Sequence, residues 1–290
     1  MKIALEWFLN PDHLPLIVAR EKGFIKEAGI DDLEIIVPDA HYDGLSELLT
    51  GNIELATNEP LHLIEQYNEN FLTLGTFFQT RGGVMMKKSS YSRLQQGEVI
   101  TVATPVANEK TNRIGLEIIQ RYARKNGFEV MPDQVVFDAK DFYLIDHIKK
   151  GADAAWLYFY NFEGIEAEHE GMPMVYMDAE TAGFANFCGL DIFVTRQFYA
   201  DNKERVNQFT EAIRRAIRYI QANPQEVSSI YYQFSMEEPS ELMDDILLAT
   251  INCFNPNFTS SYADELPILH FFREIGITDL EDEKFKTAFI

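Results

Sequence analysis

Cysteine is scarce. Only Cys188 and Cys253 occur among 290 residues, too few for a disulfide framework and without the paired spacing of a zinc site, so no metal centre is expected. Basic charge is scarce too. Lys and Arg number 25 against 46 Asp and Glu, a formal net charge of −21, which repels nucleic-acid phosphate and anionic membrane surfaces and argues against a nucleic-acid partner. No stretch approaches the roughly 20 apolar residues of a membrane span, so no membrane insertion is expected. The opening MKIALEWFLNPDH carries a charge by residue 6 and lacks the basic region and apolar run of a leader. As written, the expectation is a cytoplasmic protein, or an extracellular or periplasmic one if a leader has been removed. Glycine-rich phosphate loops of both standard spacings, H-E-x-x-H, paired C-x-x-C and G-x-S-x-G are all missing. That disfavours most common cofactor enzymes, and no cofactor is expected.

What is present is the balance of a globular chain, 24% charged and 46% hydrophobic, long enough for one very large domain or two of about 100 to 150 residues. Alternation over residues 2–8 predicts a strand, and apolar spacing over 14–26 predicts a helix stopped by Gly29. Strands over 33–37, 53–57 and 72–78 alternate with helices over 43–50 and 60–67, a parallel α/β pattern with helical crossovers. The pattern restarts with strands over 99–104, 134–137 and 154–158 and helices over 112–126 and 142–150. Past residue 192 the chain reads as helices over 203–222, 224–234 and 240–251. The border falls near Gly82-Gly83, with a return near Phe193. The expected division is therefore residues 1–83 plus 193–290 in one lobe and 84–192 in the other, with a ligand cleft between them.

Candidate chemistry clusters where strands end, since open α/β sheets bind ligands beyond the carboxyl ends of their strands. The first strand runs into Trp7-Phe8-Leu9-Asn10-Pro11-Asp12-His13, although Asn10 and Asp12 equally suit helix capping. The second ends at Asp39-Ala40-His41-Tyr42-Asp43, where Asp39 joins the candidates. The third ends at Thr57-Asn58-Glu59-Pro60-Leu61-His62, over a helix N-terminus that favours acceptors or anions. Residues 156–163, WLYFYNFE, are dense in aromatics and suit either a core strand or a wall that stacks on a planar ring. Phe184-Ala185-Asn186-Phe187-Cys188 is a candidate second crossover lining the cleft.

W-F-L-N-P-D-H (7–13), V-A-R-E-K-G-F-I-K-E-A-G-I (18–30), E-L-L-T-G-N-I-E-L-A-T-N-E-P (47–60) and G-A-D-A-A-W-L-Y-F-Y-N-F-E-G-I-E-A-E (151–168) resemble, in collinear order, the type 2 periplasmic binding proteins of the thiamine-pyrimidine-precursor and alkanesulfonate group. That group also contains the yeast-type thiamine pyrimidine synthases. The resemblance implies two α/β lobes closing on a small-molecule ligand, an aminopyrimidine, with an ABC permease as a further partner. It places Trp7, Asn10, His13, Asn58 and Glu59 on the first lobe and Tyr158, Tyr160, Glu163, Asn186 and Phe187 on the opposing wall. A sulfonate or other small organic acid is the alternative ligand. The synthase branch implies an enzyme that consumes its own histidine with pyridoxal phosphate held by a lysine. Aligned to it, His62 falls on the donor histidine but Asn58 on the lysine. Asn186-Phe187-Cys188-Gly189 replaces a cysteine-rich run, and Thr104-Pro105-Val106-Ala107 a glycine-rich loop. On those departures the protein is expected to be a binding protein and not an enzyme.

Overall fold

The computed structural model describes residues 1–38, 44–259 and 261–290. The chain divides into two compact units, one made of Met1–Gln79, Gly189–Leu269 and Thr278–Ile290, the other of Thr80–Cys188 and His270–Ile277.

The sheet of the first unit contains β1 (Lys2–Ala4), β2 (Glu34–Ile36), β3 (Leu55–Asn58), β4 (Phe71–Gln79) and, from much later in the chain, β10 (Gly189–Thr195), in the order β2-β1-β3-β10-β4. β1 lies parallel to β2 and β3, as helical crossovers require, with Ile3 opposite Ile35 and Leu55. β1 is shorter than the run over 2–8 that announces it, because the chain leaves the sheet before Glu6, whereas β4 extends one residue past each end of its expected run. The helix expected over 14–26 is two pieces, Leu14–Glu21 and Phe24–Glu27, broken where Gly23 adopts φ 76°. That left-handed conformation ends a helix at little cost only in glycine.

β10 departs from the all-parallel expectation. It runs antiparallel between β3 and β4, with Asp191 opposite Asn58 and Ile192 opposite Gly75. Gly189 makes the approach possible, since a Cβ there would meet the Phe78 carbonyl oxygen at 2.7 Å. Helix Lys203–Ala222 buries Val206, Phe209, Ile213, Ala216, Ile217 and Ile220, one stripe at helical spacing. Each of the larger side chains contributes roughly 1.5–3 kcal/mol of transfer free energy.

The second sheet contains β5 (Gly82–Lys87), β6 (Ile100–Thr104), β7 (Val135–Ala139), β8 (Ala154–Phe159) and β9 (Met174–Asp178), in the order β7-β6-β8-β5-β9. β6 is parallel to β7 and β8, while β5 is antiparallel to β8 and β9. The carboxyl ends of β6, β8 and β9 therefore share an edge with the start of β5. Gly82-Gly83, near which the border was expected, opens β5 just past the unit boundary at Gln79/Thr80. A Cβ on Gly82 would lie 2.4 Å from the Tyr158 carbonyl oxygen, and one on Gly83 would lie 2.6 Å from that of Met177. Residues His270–Ile277 pack here through Phe271, whose ring centroid lies 3.7 Å from that of Phe184, and through Glu274, paired with Arg121 at 2.6 Å.

Candidate functional site

In the first unit β1 gives way to a buried polar frame. Glu6 turns inward, where Oε1 accepts from His13 Nε2 at 2.9 Å and Oε2 accepts from the Thr57 hydroxyl. Burial opposes its charge, but His13 and the Thr57 hydroxyl outweigh that and hold the carboxyl below its usual range. His13 Nδ1 lies 3.2 Å from the Asn10 amide, and although burial opposes its charge, the Glu6 carboxylate and Asp12 raise the His13 pKa. Asn10 caps the turn Pro11–His13, its Oδ1 accepting from the Asp12 amide at 2.8 Å and its Nδ2 donating to the Phe8 carbonyl at 3.2 Å. Asn10 and His13 are buried and spend their hydrogen bonds on the loop. The half-buried Trp7 and the exposed Phe8 form the outward face, edge to face at 5.4 Å.

At the end of β3, Asn58 is buried and its Oδ1 accepts from the Glu59 amide at 3.0 Å. Helix Pro60–Glu65 sets His62 between two carboxylates, Nε2 3.2 Å from Glu59 and Nδ1 3.4 Å from Glu65. Burial opposes protonation, yet the two carboxylates push its pKa up to about 10. The Nδ1 contact meets the distance but not the angle of a hydrogen bond, so that side of the pair is Coulombic. Asp39 lies outside the described residues.

The second unit gathers its candidates at the shared edge. Tyr158 is fully buried and donates its hydroxyl to Asp178. Burial, then the neighbouring carboxylate, pushes that phenol far above its ordinary value. Leu157, just before it, has φ 71°, a conformation non-glycine residues avoid, at a register shift between β5 and β8. Beyond Phe159 the chain makes a π-helical turn, Tyr160–Gly164, a geometry frequent at functional sites. Glu163 is turned inward, and its Oε2 accepts from the Phe159 amide at 2.8 Å. The Tyr160 ring lies over Gly164, where a Cβ would sit 2.5 Å from it. It meets Tyr176 edge to face at 5.2 Å and donates its hydroxyl to Glu168. The Arg81 guanidinium stacks over Tyr160, 3.6 Å from the ring centroid, and Nη1 reaches Asp178 at 3.4 Å.

Asn186 is spent on the crossover, Nδ2 donating to the Thr80 carbonyl at 2.7 Å and Oδ1 accepting from the Cys188 amide at 3.0 Å. Phe187 is buried edge to face against Trp156. Tyr158, Tyr160 and Glu163 thus come together, while Asn186 and Phe187 hold the strand beneath. Sequence reasoning missed Arg81, Tyr176 and Asp178 in this unit and Glu6, Thr57 and Glu65 in the first. Arg81 directly precedes the two glycines, and Glu6 is a carboxylate in an apolar strand exit; those were the available signals. Among the described residues, no group of three or more His, Cys, Asp or Glu could hold a metal ion, and no helix is long and apolar enough to cross a membrane.

The sequence pattern of the family described as NMT1/THI5 like matches residues 10–227. The chain belongs to the NMT1/THI5-like family. The 4-amino-5-hydroxymethyl-2-methylpyrimidine phosphate synthase of Legionella pneumophila is 21% identical over 96% of this chain and 87% of its own length. The synthase of that name from Aspergillus parasiticus is also 21% identical, over 95% of this chain and 82% of its own. The periplasmic aliphatic sulphonate binding protein of Escherichia coli superposes with a TM-score of 0.65 at 11% identity, covering 97% of this chain and 94% of that one. The α/β architecture of this NMT1/THI5-like chain is therefore the periplasmic-binding-protein fold. The expectation that it is not an enzyme is overturned, because relatives matched over nearly the whole chain are named for an enzyme. Where the resemblance implies a lysine holding pyridoxal phosphate, this chain has the buried Asn58, whose amide cannot form an imine. The residues present do not fit that group.

Proposed function

We propose that this protein recognises a small planar aminopyrimidine of the thiamine-precursor type, held noncovalently at the carboxyl edge of the second unit's sheet. The observation that carries the reading is the local geometry of β8: a strained Leu157, then Tyr158, then a π-helical turn that sets the Tyr160 ring beside Tyr176. Strain of this kind costs of order 1–3 kcal/mol and persists where a site is built around it. Tyr160 and Tyr176 are both only partly buried and offer aromatic edges to a flat ring, while the acidic residues of this edge are acceptors suited to an exocyclic amine. Relatives named for making a pyrimidine phosphate support the pyrimidine, and a solved neighbour of the same fold is named for binding an aliphatic sulphonate.

Calorimetric titration with 4-amino-5-hydroxymethyl-2-methylpyrimidine tests this. Saturable binding is expected, and Tyr160→Ala weakens it by about 1–3 kcal/mol, the scale of a buried aromatic contact. No heat and no shift in melting temperature at millimolar ligand removes the pyrimidine from consideration.

A further inference from the structure

We propose that Asp191 and Glu265 share one buried proton, and that this proton latches the first turn of helix Tyr262–Glu274 to the first unit's sheet and releases it as the pH rises. Both residues lie in the first unit, and the latch stands independently of the pyrimidine reading.

The sheet side is an acid site built from neutral donors. Asp191 is the single charged residue of β10 and is 0% exposed. The Thr73 hydroxyl donates to its Oδ2 and the Thr76 hydroxyl to its Oδ1, each at 2.6 Å, and the Thr73 oxygen is itself held by the Gly75 amide at 3.1 Å. Its register partner on β3 is the neutral Asn58. The helices packed against β10 carry Glu47, His62, Glu65, Arg196 and Asp201. What acts on Asp191, however, is burial and the hydrogen bonds of Thr73, Thr76 and Glu265.

The helix side is a carboxyl drawn inward from an outward turn. Over residues 261–267 Glu265 is the one buried residue, 4% exposed. Pro267 lies inside the helix and has no N–H for the Ala263 carbonyl. The turn before it is held by Ser261, whose carbonyl accepts from the Asp264 and Glu265 amides and whose hydroxyl donates to Asp264, and by Glu265 reaching into the interior. There Glu265 is hydrogen-bonded to Asp191. Two carboxylates have no donor between them, so the bond requires a proton.

Burial, the largest influence, lifts the Asp191 carboxyl from 3.8 to about 6 against its three donors. Because that value is raised on folding, the stabilisation from protonating Asp191 is whole below pH 3.8 and gone once pH passes about 6. The proton that remains, on Glu265, is held more tightly still, since its removal sets two carboxylates side by side in the interior. When it leaves at higher pH, Glu265 moves to solvent, which the exposed turn around it permits, and Asp191 keeps its two hydroxyl donors.

The test reads the proton and the turn separately. At pH 7 the infrared spectrum of the wild-type protein should contain the carbonyl stretch of a protonated carboxylic acid. Glu265→Gln, whose amide supplies a donor that does not titrate, should lack it. Hydrogen exchange read by mass spectrometry at pH 6 and pH 9, corrected for intrinsic rates and referenced to helix Lys203–Ala222, follows the turn. Wild-type protection over residues 262–266 should fall by about ten-fold or more, the change in an equilibrium that one pH unit of linkage brings. Glu265→Gln should hold its protection within about two-fold, and Glu265→Ala should be unprotected at both pH values. A wild-type spectrum without the acid band, a band that survives Glu265→Gln, or wild-type protection equal at the two pH values overturns the latch. A missing band together with a melting temperature raised by millimolar calcium chloride overturns it too, in favour of a bound cation. If Glu265→Gln does not fold, the wild-type band and the wild-type pH dependence decide alone.

Discussion

His62→Gln provides the sharpest check on the electrostatics at the end of β3. The ring sits between Glu59 and Glu65 at 3.2 and 3.4 Å, its side chain 21% exposed and theirs 21% and 14%. With a folded pKa of about 10 against an ordinary 6.5, the difference of about 3.5 pH units sets a ceiling near ~5 kcal/mol at about 1.4 kcal/mol per unit. The contacts are long and one is poorly aligned, so we expect about 1–3 kcal/mol of that to be realised. Because the pKa is raised on folding, this stabilisation is complete below pH 6.5, declines as pH rises, and is gone once pH passes about 10. Urea melts of wild type and His62→Gln at pH 6, 8 and 10 read it directly. The wild-type advantage should shrink steadily over that range, and parallel pH profiles would refute the ion-pair assignment. Any chemistry of this ring near neutral pH then starts from the imidazolium, which has no free lone pair.

Two further outcomes follow from packing and burial. Gly164→Ala forces a Cβ to within 2.5 Å of the Tyr160 ring, so it should displace Tyr160, cost about 1–3 kcal/mol of stability and weaken pyrimidine binding. Near-UV circular dichroism and titration check it, and a variant with wild-type affinity would mean that Tyr160's position is irrelevant to the ligand. Asp153 accepts from Ser90 Oγ and Arg93 Nη1, each at 2.7 Å, and from the Thr101 amide at 3.0 Å, tying the helix Lys88–Gln95 to β6 and β8. Burial opposes its charge, but these donors prevail and lower its pKa. Its contribution is therefore present above pH 3.8 and lost as pH falls through the lower folded value. Asp153→Asn should destabilise the protein by about 1–3 kcal/mol at pH 7 and lose less than wild type on acidification, as measured by acid titration of the far-UV signal.

Some of the site was legible in the sequence for a local reason. Asn10 followed by Pro11 announces a capped turn, and the side chain does cap it; the exit of Trp7 from an apolar strand needs only the strand to end. The density of aromatics over 156–163 marked β8 before its neighbours were known. What those polar groups do was not legible. Asn10, His13 and Asn186 are ligand-contact candidates because their types can make such contacts, and the partners they have here are Phe8 and Asp12 for Asn10, Glu6 for His13, and Thr80 and Cys188 for Asn186. No spacing rule links residue 80 to residue 186.

Sequence by itself determined the alternation of strand and helix, the amphipathic stripe of Lys203–Ala222 and the breaks at glycines, because each depends on neighbours within a few residues. Tertiary structure alone decided the antiparallel insertion of β10 between β3 and β4, the pairing of His13 with Glu6 and the seating of Arg81 on Tyr160. Each of these joins groups at a distance, or depends on which donor meets which acceptor. Local preference fixes dihedral angles, whereas the charge, tautomer and orientation of a buried side chain are set by whatever the folded chain packs against it.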